Sequence, residues 1–84
     1  MARNETLPLS GDMLARSMSY ASIVEGFMDG SGSSVEFHYT ARDGSQSDRS
    51  AVPVEIVGTP GTTTYGFKGE TEKGPRTFNF HLMG

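Results

Sequence analysis

Between Ser10 and Met28 the apolar residues recur at spacings near three and four. Met13 or Leu14, then Met18, Ala21, Val24 or Glu25, and Met28 form one stripe, which Tyr20, Val24 and Phe27 extend. This period predicts an amphipathic helix over 12–28, capped by Ser10 or Asp12 and ended at Asp29-Gly30. After the Gly-Ser stretch that follows, the period changes to two. Val35, Phe37, Tyr39 and Ala41 alternate with Glu36, His38, Thr40 and Arg42, predicting a half-buried strand over about 35–42. Asp43-Gly44 is a preferred pair for a tight hairpin turn in which both residues take positive φ. A second strand is expected over about 49–57 with Val52, Val54 and Ile56 in phase. Pro53 inside it demands a sheet edge or a bulge. Gly58 to Gly61 reads as a loop, and Thr63, Tyr65 and Phe67 as a strand over 62–68. Gly69 to Gly74 reads as a polar turn, and Arg76, Phe78, Phe80 and Leu82 as the inward face of a last strand over 75–82.

The expected fold is therefore mainly β, of the α+β class. One N-terminal helix leads into an antiparallel meander of four to five strands, curled into a small, partly open barrel. Residues 1–11 are expected to form a flexible arm, and 12–84 a single domain.

Composition narrows what such a fold can do. Leu, Ile, Val and Phe supply only 16 of the 84 residues, whereas glycine and proline supply 15. A core this thin makes a deep, dry catalytic cavity an unlikely use of the chain. With no cysteine there is no disulfide, thiolate metal site or cysteine nucleophile. No apolar run approaches the ~20 residues of a bilayer span, and Met1 to Ser10 holds no signal-type apolar segment. A cytoplasmic protein is the expectation. The net charge of −3 argues against strong non-specific nucleic-acid binding. Most of the positive charge nevertheless lies in the second half, at Arg42, Arg49, Lys68, Lys73 and Arg76.

Several pieces, in order, carry a family resemblance. A helix precedes the alternating strand Val35-Glu-Phe-His-Tyr39, and an Asp-Gly turn follows. Next come Ser47-Asp-Arg49-Ser-Ala-Val-Pro53, the short aromatic stretch Thr64-Tyr65-Gly66-Phe67, and Arg76-Thr-Phe78. In that order, over about residues 12–80, the chain resembles the WYL domain, a ligand-sensing module of bacterial and phage regulators. The first and third letters of the namesake tripeptide are replaced by Thr64 and Gly66. The resemblance implies an SH3-like or Sm-like barrel with a partly basic face for a nucleotide or a nucleic-acid strand, formed by Arg49, Tyr65 and Arg76. Arginine suits phosphate through its planar fork of donors, and tyrosine offers a stacking face to a base.

Each of these residues also has a plain structural use. Arg76 could pair with Asp43, Asp48 or Glu70, Arg49 could be a solvated strand-end charge, and Tyr65 and Phe67 could be core. His38 and His81 lack a third ligand at metal-binding spacing, so no metal is expected. No nucleophile elbow or P-loop ending occurs, so neither catalysis nor a cofactor is expected. Met13, Met18 and Met28 are expected to fill the seam between helix and sheet. The leading function is a non-enzymatic regulatory binding module for a nucleotide or single-stranded nucleic acid. The alternative is a protein-interaction or self-assembly module, for example an accessory protein of a phage or mobile element, with no ligand function. No membrane partner is expected.

Overall fold

The computed structural model describes residues 9–29 and 32–83. Most of the expected arm, Met1 to Pro8, and the Gly30-Ser31 step lie outside the described residues. Helix α1 spans Gly11–Phe27. Of the two expected caps, Ser10 takes the role, its Oγ accepting from the Met13 N–H at 3.4 Å. Asp12 adds a negative charge to the first turn, where the helix dipole favours it. Leu9, just before the cap, is tied down as well, donating its N–H to the Gly61 carbonyl at 3.0 Å.

The buried face of α1 differs from the expected stripe. Ser17, Ala21 and Val24 are buried and Tyr20, Phe27 and Met28 pack beside them, whereas Met18 is 46% exposed. At 100° per residue, Ser17 and Met18 cannot share a face. The seam selects small residues there, which let the helix come close to the sheet, over the bulkier Met18.

Four strands follow: β1 (Val35–Thr40), β2 (Gln46–Val57), β3 (Gly66–Thr71) and β4 (Gly74–Asn79). A single 3-10 turn, Phe80–Leu82, ends the fold. The strands form one antiparallel sheet in the order β1-β2-β3-β4. The molecule is thus one helix followed by a four-stranded antiparallel meander, and its sheet is strongly rolled. Although β1 and β4 are the two edges, the Phe78 ring lies 4.9 Å from Phe37 and 5.2 Å from Tyr39. Tyr39 also pairs with Met83 in an isolated bridge, and its hydroxyl accepts from the Asn79 N–H at 3.2 Å. No helix among the described residues is long and apolar enough to cross a membrane.

Five local expectations change. Asp43 does not take positive φ, and among the described residues only glycines do. The β1–β2 loop is wider than a two-residue turn, with Thr40 opposite Gln46. Within it the Asp43 carboxylate accepts from the Ser45 N–H and Oγ, while Gly44 takes the left-handed position at φ +91. In β2 the buried residues are Ala51 and Pro53, one out of phase with the expected set, and Val54 is 48% exposed. Pro53 lies in an inner strand, so the bulge is the device that accommodates it. The register shifts between Pro53 and Glu55, after which Ile56 opposes Phe67.

The third change is in β3, which begins at Gly66 rather than near Thr62. Thr62 bonds back to the Thr59 carbonyl through its Oγ1 at 2.7 Å, and the Tyr65 N–H bonds to the Thr62 carbonyl at 3.2 Å. Threonine hydroxyls there favour a turn over a ladder. The expected turn after Gly69 shrinks to Glu72-Lys73, and Gly69 is a buried strand residue. The last strand stops at Asn79 because the chain turns there. The Phe80 N–H then bonds to the Tyr65 carbonyl at 2.9 Å, and the Phe80 ring enters the core beside Tyr65 and Phe67.

The core is a run of aromatic contacts, Phe37, Phe67, Phe78 and Phe80, closed on one side by Ala21 and Val24. Two substitutions test this packing by urea denaturation. Gly66→Ala forces a methyl group into the Phe78 carbonyl and is expected to cost about 2–3 kcal/mol. Ser17→Ala is expected to raise stability by about 1 kcal/mol, because the buried Ser17 hydroxyl has no hydrogen-bond partner among the described residues. A stable Gly66→Ala or a destabilised Ser17→Ala contradicts the packing described.

Candidate functional site

In an antiparallel sheet, paired residues present their side chains to the same face. Phe37 pairs with Arg49, and Gly69 with Arg76. Both arginines therefore project to the inner face of the rolled sheet, the face that also carries Phe67 and Phe78. They stand where the aromatic packing ends and the roll opens. The opening is a groove of about 1000 Å³ that receives residues from β1, β2 and the β3–β4 hairpin.

Arg49 is half-buried and its Nε donates to Ser47 Oγ at 2.9 Å. That bond steadies the guanidinium and leaves its terminal nitrogens free for a ligand. Arg76 is exposed on β4, opposite the bare backbone of Gly69. Among the described residues the only ion pair is that of His38 with Asp48, so no carboxylate lies within bonding reach of either arginine. The salt bridges open to Arg76 in the sequence are not formed. Lys73, at the hairpin tip, adds a third cation to the groove, and half-buried Phe37 gives it an aromatic surface. Edge-to-face contacts with Tyr39, Phe67 and Phe78 hold the Phe37 ring in place.

Tyr65 is not part of the groove. It is 8% exposed, with its ring edge-on to Phe80 at 4.9 Å. Burial, and secondarily the charge of Glu25, raise its phenol above the ordinary value. Of the three residues singled out in the sequence, Arg49 and Arg76 come together and Tyr65 belongs to the core. Lys73 and Phe37 carried no such signal, since the hairpin tip and the cross-strand register that place them are tertiary features.

The rim of the groove is acidic. Glu36 and Asp48 from the outer face of β1 and β2, and Glu70 and Glu72 from the hairpin, are also in its lining. His38 is held among these groups, with Nδ1 3.1 Å from Asp48 Oδ1 and Nε2 3.0 Å from Gln46 Oε1. Two oxygen partners favour the doubly protonated ring. The hydrogen bond to Asp48, then that to Gln46, raises its pKa above the ordinary 6.5. His81, on the 3-10 turn, is shifted the other way, lowered by burial and then by the charge of Arg42. No group of three or more His, Asp or Glu able to hold a metal ion occurs among the described residues.

The two histidines therefore have opposite pH linkage. The His38 contribution to stability is complete below its unfolded pKa and fades as pH rises through the folded value. The His81 contribution is complete above its unfolded pKa and is lost as pH falls through the folded value. An NMR titration of the ring protons is expected to place His38 above 6.5 and His81 below it. Asp48→Asn should lower His38 and leave His81 in place. Coincident titrations, or a His38 value unmoved by Asp48→Asn, contradict the assigned contacts. In comparisons with known proteins, no family model, curated protein or solved structure matches the chain.

Proposed function

We propose that the chain is a non-enzymatic regulatory binding module that senses a nucleotide or single-stranded nucleic acid, as its resemblance to the WYL domain implies. One observation carries this reading. Arg49 and Arg76, from two non-adjacent strands, face one open groove, and among the described residues no carboxylate forms a salt bridge with either of them. Unpaired guanidinium groups beside a fixed aromatic ring suit a phosphate next to a base. Phe37 takes the stacking role in place of Tyr65. The chain as a whole is acidic, with a pI near 5.2, and the groove itself sets three cations beside four carboxylates, so the arginines hold a ligand by direct contact and not by a net positive field.

A second reading, docking of a protein strand, draws on the sheet edges. Among the described residues β1 pairs only with β2, apart from the Tyr39–Met83 bridge, and β4 pairs only with β3. Such edges can accept another strand. Light scattering that shows a monomer, together with no partner in a pull-down, rules against it.

Calorimetric titration with cyclic nucleotides, a nucleoside monophosphate and a short oligothymidylate, at low and moderate salt, tests the first reading. Arg49→Ala and Arg76→Ala are each expected to weaken binding about tenfold, the scale of one charge-assisted hydrogen bond. Tyr65→Phe is expected to bind as the parent does. Absence of binding, or binding unchanged in the double arginine variant, rules out the nucleotide reading.

A further inference from the structure

The groove is divided by charge, and the strand register makes the division. Its inward-facing cations are Arg49 and Arg76, with Lys73 at the hairpin tip. Its carboxylates come mainly from outward-facing positions. Glu36 is opposite Ser50, Asp48 opposite His38, and Glu70 opposite Val52, while Glu72 neighbours Lys73. Two inward-facing arginines and the hairpin-tip Lys73 thus share the groove with four carboxylates, three of them on the outward face of the sheet and Glu72 in the turn.

This arrangement treats small and polymeric anions differently. A nucleic-acid strand carries a charge on every nucleotide, and its affinity grows with the number of phosphates it neutralises. Here the phosphates beyond the cationic centre must run past Glu36, Glu70 and Glu72. A compact ligand avoids that repulsion by placing its phosphate between the arginines. Its hydroxyl and amine donors then meet the rim, where ionised carboxylates act only as acceptors. The volume of about 1000 Å³ is at the upper end of the range for small-molecule sites.

We infer that the groove takes a compact phosphate ester bearing hydrogen-bond donors, of nucleoside mono- or diphosphate size, and discriminates against extended strands. This inference rests on the nucleotide reading of the groove and chooses between the two ligand classes which that reading leaves together.

The test titrates the full chain with a nucleoside monophosphate, the matching nucleoside and a short oligothymidylate, and repeats all three with the double variant Glu36→Gln, Glu70→Gln. Both glutamates are exposed, so the variant is expected to fold, which circular dichroism checks. The monophosphate is expected to bind about tenfold or more tightly than the strand, and the nucleoside more weakly than the monophosphate. The double variant should strengthen the strand by a larger factor than the monophosphate, because more of the strand's phosphates pass the glutamates, and so narrow the preference. Equal or tighter strand binding by the parent, or a variant in which the preference for the monophosphate does not fall, overturns the inference while the nucleotide reading stands. If no probe binds, the nucleotide reading itself fails and the inference falls with it.

Discussion

Phe78 on one edge strand packs its ring 4.9 Å from Phe37 on the opposite edge strand, and this contact sets how far the sheet rolls. Edge-to-face aromatic pairs contribute about 0.5–1.5 kcal/mol each beyond the area they bury. Phe67, fully buried between Phe37, Phe78 and Phe80, multiplies that contact into a cluster. A chain with few large apolar residues thus concentrates them at one junction. Helix α1 covers it with the buried Ser17, Ala21 and Val24, flanked by the larger Tyr20 and Phe27. The same junction decides where the groove lies, because the roll opens where the rings give way to Arg49 and Arg76.

Sharing of residues between core and groove follows from this economy. Phe37 is held by three rings on its inner side and still reaches the groove, so one side chain serves both. Tyr65 is used differently. It lies against Phe80 at the end of the threonine turn, and its burial there leaves no face for a ligand. The cationic groups come from the positions where the alternating pattern continues but the hydrophobic packing does not.

The helix and β1 were legible because their periods are regular and their ends carry strong stop signals, Ser10 at one end and Asp29-Gly30 at the other. What the sequence hid were features decided by hydroxyls, a bulge and register. Val52 and Val54 outweigh Ala51 and Pro53 in hydrophobicity, so pattern alone puts the phase of β2 one residue off. The true phase is what turns Arg49 inward. Thr62 to Thr64 have strand-like propensity, yet their hydroxyls and carbonyls close a turn. Met18 promised apolar area, but the seam favoured the smaller Ser17. Arg76 was legible as an inward residue from its phase with Phe78. That it has no carboxylate partner among the described residues, and that it shares a groove with Arg49, depends on the roll of the sheet and has no local signature.

The central claim is that Arg49 and Arg76 act on one phosphorylated ligand in the groove between the sheet edges. Chemical-shift mapping during addition of a nucleoside monophosphate tests this most directly. The account predicts that the shifted resonances cluster at Arg49 Nε–H, Arg76, Lys73 and the Phe37 ring, with Tyr65 and α1 silent. Shifts centred on Tyr65 and α1, or none at saturating nucleotide, would contradict it.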